Sequence, residues 1–303
     1  MQEIDVDNLF DRRSTFPDSE AMKRLDLLVG LDEVKSRLIK SLAVLVNPQG
    51  IHAWAKKFHS KNIQLLNFAE RRPPLVILAG DVGTGKTEIA SNIGDAVARQ
   101  ESINVTLFPL SLSTRGSGRV GEMTQLLSAA FENTVTEAKK LKKKDSKAHG
   151  AIILLVDEAD AIVQSRENNQ MHHEDRAGVN AFIRGVDQLA EQGLPVAVIL
   201  CTNRLSSVDP AVRRRAAEIF EFNRPNDEQR AHVLIKPLSE IDFTDAQIKE
   251  LVTETDGFTY SDLTQRLLPT VVLDAYPDSP ITFERTLEIV KGIKPTPAFE
   301  EKK

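Results

Sequence analysis

The amino-acid sequence predicts an α/β fold, a parallel five-stranded sheet flanked by helices and followed by a small all-α domain. Three observations predict it. Apolar runs at 75–79, 104–110, 151–156, 195–201 and 217–222 have the length and continuity of strands buried on both faces. Helical patterns separate most of them, as parallel pairing requires. Beyond Pro225 the apolar spacing is helical only, over 227–238, 244–255, 260–275 and 283–291.

In chain order, residues 1–17 carry charge and little periodicity and read as a loosely held N-terminal arm. A large nucleotide-binding subdomain is expected over 18–225, a small helical lid over 226–293 and a proline-containing tail over 294–303. From Asp18 the pattern is helical. Leu27-Leu28-Val29-Gly30-Leu31 interrupts it before a second helix opens behind the cap residue Asp32. The segment 47–72 holds Trp54 and a basic cluster, and Pro73-Pro74 end it and launch the first strand.

That strand runs directly into Gly80-Asp81-Val82-Gly83-Thr84-Gly85-Lys86-Thr87, which has the spacing G-x-x-x-x-G-K-[ST]. Gly80, Gly83 and Gly85 let the backbone fold back so that successive N–H groups converge on a phosphate. Lys86 brings an ammonium to the β/γ-phosphates, and Thr87 a hydroxyl to Mg²⁺ as the helix containing Glu88 opens. With a strand before it and a helix after it, the motif predicts a P-loop NTPase that binds ATP and Mg²⁺.

The strand at 151–156 delivers Asp157 and Glu158 at its C-terminal end, where ligands gather in open α/β sheets. Asp157 is placed to hold Mg²⁺ through water, and Glu158 to orient and polarise the attacking water. Asp157-Glu158-Ala159-Asp160 also spells a helicase signature, but too little chain follows the last strand for the second domain such helicases need. Asn203, just past the strand at 195–201, suits contact with the attacking water or the γ-phosphate. Arg213-Arg214-Arg215 could be a solvated patch, yet transition-state charge in a P-loop enzyme calls for a further cation, which Arg214 or Arg215 would supply.

Other features carry less. The lysines around 139–147 lie at a helix C-terminus and in the loop beyond, where cations suit the helix dipole. His172 and His173 are adjacent and have no second ligand pair for a tetrahedral metal site, so a polar loop is expected. A net charge of −5 argues against a constitutive nucleic-acid binder. The single Cys201 excludes a disulfide framework within one chain, and the acidic first residues do not resemble a secretory signal. With no apolar run long enough for a membrane span, a cytoplasmic enzyme is expected.

This order of motifs, from about residue 18 to 292, resembles the AAA+ ATPases. The resemblance implies that Val29 and Gly30 form the adenine-side loop, that Asn203 is the sensor at the strand end, and that Asp256-Gly257-Phe258-Thr259 is the lid signature. It also implies a homo-hexameric ring in which Arg214 and Arg215 of one subunit complete the site of the next. Val179-Asn180-Ala181 with Asp187-Gln188 is similar to the pachytene-checkpoint, or thyroid-receptor-interactor, branch. Members of that branch remodel HORMA-domain proteins through the central pore, and bacterial relatives act in antiviral systems with a cyclic-oligonucleotide synthase. By that likeness Arg119, Val120 and Gly121 form the pore loop, with His172 and His173 below. An arginine stands where the family carries an aromatic, and Ser261 stands at the lid's arginine sensor position, with Arg266 the nearest substitute. The competing reading is a nucleotide-switched scaffold or a clamp-loader-like ATPase, in which nothing is threaded.

Overall fold

The five apolar runs and a short N-terminal strand form one six-stranded sheet in the order β1-β3-β4-β5-β2-β6 in the computed structural model, which describes residues 9–59, 63–111, 122–142, 148–163 and 173–298. The strands are β1 (Ser14–Phe16), β2 (Leu75–Gly80), β3 (Asn104–Pro109), β4 (Gly150–Val156), β5 (Val196–Thr202) and β6 (Ala216–Phe222). The helices are α1 (Ser19–Leu27), α2 (Asp32–Val46), α3 (Pro48–His59), α4 (Leu66–Glu70), α5 (Lys86–Glu101), α6 (Glu122–Leu141), α7 (His173–Gln192), α8 (Pro210–Arg213), α9 (Asp227–Ser239), α10 (Asp245–Glu254), α11 (Leu268–Ala275) and α12 (Phe283–Gly292). A π-helical turn, Asp262–Leu267, precedes α11.

The chain divides into two compact units. One comprises Met1–Leu25, Glu33–Ala79 and Thr87–Phe220; the other comprises Asp26–Asp32, Gly80–Lys86 and Glu221–Lys303.

The first unit is built on the sheet. β3, β4, β5 and β2 pair in parallel, in the registers Phe108↔Leu154, Leu154↔Val198 and Leu78↔Cys201. Every residue of β4 and β5 is buried, which is why neither shows alternation. The parallel registers bring the C-terminal ends of β2, β4 and β5 to one edge of the sheet.

The N-terminal segment departs from expectation. Over its described part, residues 9–17, it is not a loose arm: β1 adds an antiparallel edge strand to β3, and Phe10 bridges to Leu110. Leu9, Phe10 and Phe16 are buried, the Phe10 and Phe108 rings lie 5.0 Å apart, and the Arg13 guanidinium sits 4.1 Å from the centre of Phe108. Three apolar residues among charges suffice here because the partner strand supplies the backbone hydrogen bonds. The sheet therefore has six strands where five were expected. The segment 47–72, with no assigned element in the sequence, contains α3 and α4.

Helices α6 and α7 pack through a close approach at Gly185. A Cβ there would lie 2.3 Å from the Phe131 ring, itself edge-on to Phe182 at 5.6 Å. Both rings are buried. Gly185→Ala forces the helices apart, and unfolding in denaturant is expected to show a loss of about 1–3 kcal/mol. An unchanged midpoint would contradict this packing.

The second unit is helical. Capping boxes start α9, through Asn226 and Gln229, and α10, through Thr244 and Gln247. Its core includes Val233, Leu234, Leu251, Phe258, Leu263, Leu267 and Val290.

Candidate functional site

Within the second unit, three segments far apart in sequence meet: the turn before α2, the phosphate loop and the lid. Gly80, Gly83 and Gly85 have positive φ of 152°, 75° and 95°, so the loop takes a path that L side chains rarely follow. At Gly83 a Cβ would lie 2.7 Å from Thr259 Oγ1 and 3.0 Å from Ser261 Cβ. The Ser261 amide donates to the Gly83 carbonyl at 3.0 Å. Gly85 faces Leu31 and Leu28 of the turn before α2. In that turn Gly30 also has positive φ, and its carbonyl accepts from Gln229 Nε2 at 2.7 Å. Val29, Gly30 and the phosphate loop are thus brought together with the lid residues Gln229, Thr259 and Ser261.

Lys86 is buried, and its ammonium donates to the Gly80 and Asp81 carbonyls at 2.8 Å each. Thr84 Oγ1 donates to the Asp81 carbonyl at 2.7 Å. Val82 is exposed at the loop tip.

Asp81 is held by a residue that sequence reasoning missed. Arg224, just past β6, donates from Nε and Nη2 to Asp81 Oδ2 at 2.9 and 2.6 Å, and from Nη1 to the Gly257 carbonyl at 2.6 Å. One guanidinium therefore ties the loop to the lid signature. Tyr260, also missed, is buried beside Gly30; burial first, and then the charge of Asp32, push its hydroxyl up to about 12, so it stays protonated at neutral pH.

The lid turn is organised by Asp262, which is fully buried. Its carboxylate accepts from the Thr259 amide and hydroxyl, both at 3.0 Å, and from Arg266 Nη1 at 2.6 Å. It also accepts from the amide and hydroxyl of Thr296, at 3.0 and 2.7 Å. Burial pushes this carboxyl upward, but those donors outweigh it and hold the group well below the usual carboxylate range. Arg266 also donates to the Lys294 carbonyl, so its guanidinium is engaged on the lid.

In the first unit, Asp157 and Glu158 follow the C-terminal end of β4, with Glu158 exposed. Glu158 has φ 49° and ψ 38°, the left-handed region that glutamate seldom occupies. Asp157 Oδ1 accepts from the Glu158 amide at 2.8 Å, which fixes the turn. Asp160, read from sequence only as part of a signature, accepts from Thr202 Oγ1 at 2.5 Å and from the Asn203 amide at 3.0 Å. It therefore locks the end of β5, and with it Asn203, to the turn after β4. Thr87 and Glu88 are exposed in the first turn of α5.

The structure separates the two arginines. Arg215 makes a bidentate pair with Asp187 of α7, at 2.6 and 2.8 Å, and donates to the Ala211 carbonyl. That hydrogen-bonded pairing raises Arg215 above its ordinary range, against the effect of burial. Arg214, at the end of α8, is exposed. Arg119, Val120, Gly121 and His172 lie outside the described residues, and His173 opens α7. Among the described residues no His, Cys, Asp and Glu cluster could hold a metal ion by itself, and no helix is long and apolar enough to cross a membrane.

A glycine-rich phosphate loop with its lysine, and, separately, an acid pair at the end of a buried strand, are the parts of a P-loop ATPase. The chain belongs to the AAA family: residues 76–224 match the ATPase family associated with various cellular activities (AAA). It is 58% identical over 301 residues, 97% of each chain, to CD-NTase-associated protein 6 of Escherichia coli (strain MS 115-1). It is 37% identical to the protein of the same name from E. coli strain KTE188, over 96% of this chain and 98% of the other. Among solved structures, a chain of the E. coli MS115-1 HORMA:CdnC:Trip13 complex superposes with a TM-score of 0.90 at 58% identity, over 98% of this chain and 99% of that one. Rhizobiales Trip13 gives 0.76 at 55% identity, over 95% and 100% of the two chains. The likeness extends in fold to C. elegans PCH-2, at a TM-score of 0.65 and 17% identity, over 92% and 72%.

Proposed function

We propose that this ATPase works as a homo-hexameric ring that uses ATP hydrolysis to remodel a HORMA-domain protein through its central pore, and so takes apart the active complex of that protein with a cyclic-oligonucleotide synthase. The observation that carries the reading is the match at a TM-score of 0.90 to a chain of a HORMA:CdnC:Trip13 complex, over nearly the whole of both chains. The 58% identity to a CD-NTase-associated protein supports the same antiviral-signalling setting, which the reading places in the cytoplasm.

In this reading the amides of the loop at Gly80–Lys86 and the Lys86 ammonium receive the β/γ-phosphates. Val29 and Gly30 flank the adenine. Thr87 hydroxyl and Asp157 carboxylate are the hard oxygen donors that suit Mg²⁺, Asp157 through water, and the ion there would supply charge neutralisation on the phosphates. Glu158 accepts a proton from the attacking water, while Asn203, fixed by Asp160, orients that water. Arg214 enters from the neighbouring subunit, and Arg215, clamped to Asp187, holds its segment in place. The role of gripping the substrate falls in this reading to Arg119, Val120, Gly121, His172 and His173.

Two measurements test the reading. Lys86→Ala is expected to lose equilibrium binding of a fluorescent ATP analogue by at least about tenfold, since a charge-assisted partner of the phosphates is removed. Incubating the parent ring with a preformed HORMA–synthase complex should dissociate it in ATP and leave it intact in ADP, as followed by size-exclusion chromatography. A complex that stays whole in ATP, together with salt-sensitive stimulation of the ATPase by DNA, would instead select the clamp-loader-like reading.

A further inference from the structure

The C-terminal segment leaving α12 is fastened to the turn that touches the phosphate loop. Lys294-Pro295-Thr296-Pro297 places Thr296 between two prolines, and a residue before proline is held extended, so the segment is a preformed strap. Thr296 supplies two of the five hydrogen bonds to the buried Asp262 carboxylate: its amide to Oδ2 at 3.0 Å and its hydroxyl to Oδ1 at 2.7 Å. Arg266 closes the clasp, donating to Asp262 Oδ1 and to the Lys294 carbonyl. The same carboxylate holds the Thr259 amide and hydroxyl. Thr259 Oγ1 and Ser261 are the atoms against which Gly83 packs, and the Ser261 amide is bonded to the Gly83 carbonyl. The connection therefore runs from strap to carboxylate, from carboxylate to lid turn, and from lid turn to phosphate loop, all within one compact unit.

We propose that Thr296 is a positioning residue of the nucleotide site: strapped onto Asp262, it holds the Thr259–Ser261 turn against Gly83 and so sets the conformation of the phosphate loop. This rests on the assignment of Gly80–Thr87 as the triphosphate site. If the strap only steadied the helices, losing it would lower stability without reaching the loop. If it positions the loop, nucleotide affinity depends on it, and by reciprocity bound nucleotide must tighten the strap.

Thr296→Val keeps the volume and the main-chain donor but removes the hydroxyl donor to a buried charge. It is expected to raise both KM for ATP and the Kd of a fluorescent ADP analogue about tenfold, with kcat within twofold of the parent. Thr296→Ser, which restores the donor, should return both to parental values. In the unaltered protein, ADP should slow hydrogen exchange across 294–298, a measurement that needs no variant to fold. A KM and Kd within twofold of the parent in Thr296→Val, or exchange across the strap unmoved by saturating ADP, would overturn the proposal. A parent that failed to bind ADP at all would instead overturn the triphosphate assignment beneath it.

Discussion

Glu158→Gln is expected to bind ATP as tightly as the parent and to hydrolyse it about 10²–10⁴-fold more slowly. The amide keeps the size and shape of the carboxylate but does not take a proton from water at neutral pH. The turn carrying it should survive, because it is fixed from outside the side chain: Asp157 Oδ1 accepts from the residue 158 amide, and Asp160 pins the adjacent end of β5. The left-handed backbone at Glu158, φ 49°, is unfavourable for a residue with a Cβ, so the surrounding hydrogen bonds must hold it. Gln has the same backbone preferences, so stability should change little. Phosphate release under saturating ATP gives kcat, and equilibrium titration with a fluorescent ATP analogue gives affinity. Hydrolysis within tenfold of the parent would remove Glu158 from the role of base. With hydrolysis blocked and binding kept, the variant should also stay on its protein substrate, so co-purification from the native host offers a second readout.

The parts legible in the sequence were those governed by local pattern. Five apolar runs became strands within a residue or so of their expected limits. β2, β4 and β5 do so because a doubly buried strand writes its burial into consecutive positions. The run at 217–222, expected to be buried on both faces, is instead the edge strand β6 with only Phe220 and Phe222 buried. The phosphate loop was legible because its chemistry needs glycine, lysine and a hydroxyl at fixed spacing. What was not legible depends on residues that meet only after folding. Arg224 and Asp81 stand 143 positions apart, and nothing in either neighbourhood marks them as partners. Asp160 meets Thr202 and Asn203 only once β4 and β5 pair, 42 and 43 positions apart, so its place in the Asp157–Asp160 signature does not disclose that role. The N-terminal segment lacked periodicity because a three-residue edge strand is too short to show any, and its hydrogen bonds come from β3. Thr296 looked like tail for the same reason: its partner, Asp262, is 34 residues away.

Arg214→Ala is expected to leave ATP binding intact and to lower hydrolysis by about 10³-fold or more, because an arginine supplied across a subunit boundary stabilises charge that develops only in the transition state. Arg214 is exposed at the end of α8, as a residue serving another subunit must be. Arg215 is different. Its guanidinium is spent on Asp187 and the Ala211 carbonyl within its own subunit, so Arg215→Ala should act through misplacement of the α8–β6 segment, and Asp187→Ala should reproduce that loss. Arg214→Ala and Asp187→Ala should therefore fall into separate classes, with only the second lowering the melting temperature. The decisive measurement mixes two inactive proteins. In a ring assembled from Arg214→Ala and Glu158→Gln subunits, some boundaries pair an intact Glu158 with an intact Arg214 from the neighbour, and those boundaries should hydrolyse ATP. Recovered phosphate release on mixing, absent from either protein alone, is the outcome expected of a site completed in trans. If no activity returns although pull-down through a tag carried by one variant recovers the other, Arg214 does not serve the neighbour's nucleotide. The phosphate loop, acid pair and Asn203 would then have to find their transition-state cation within one chain.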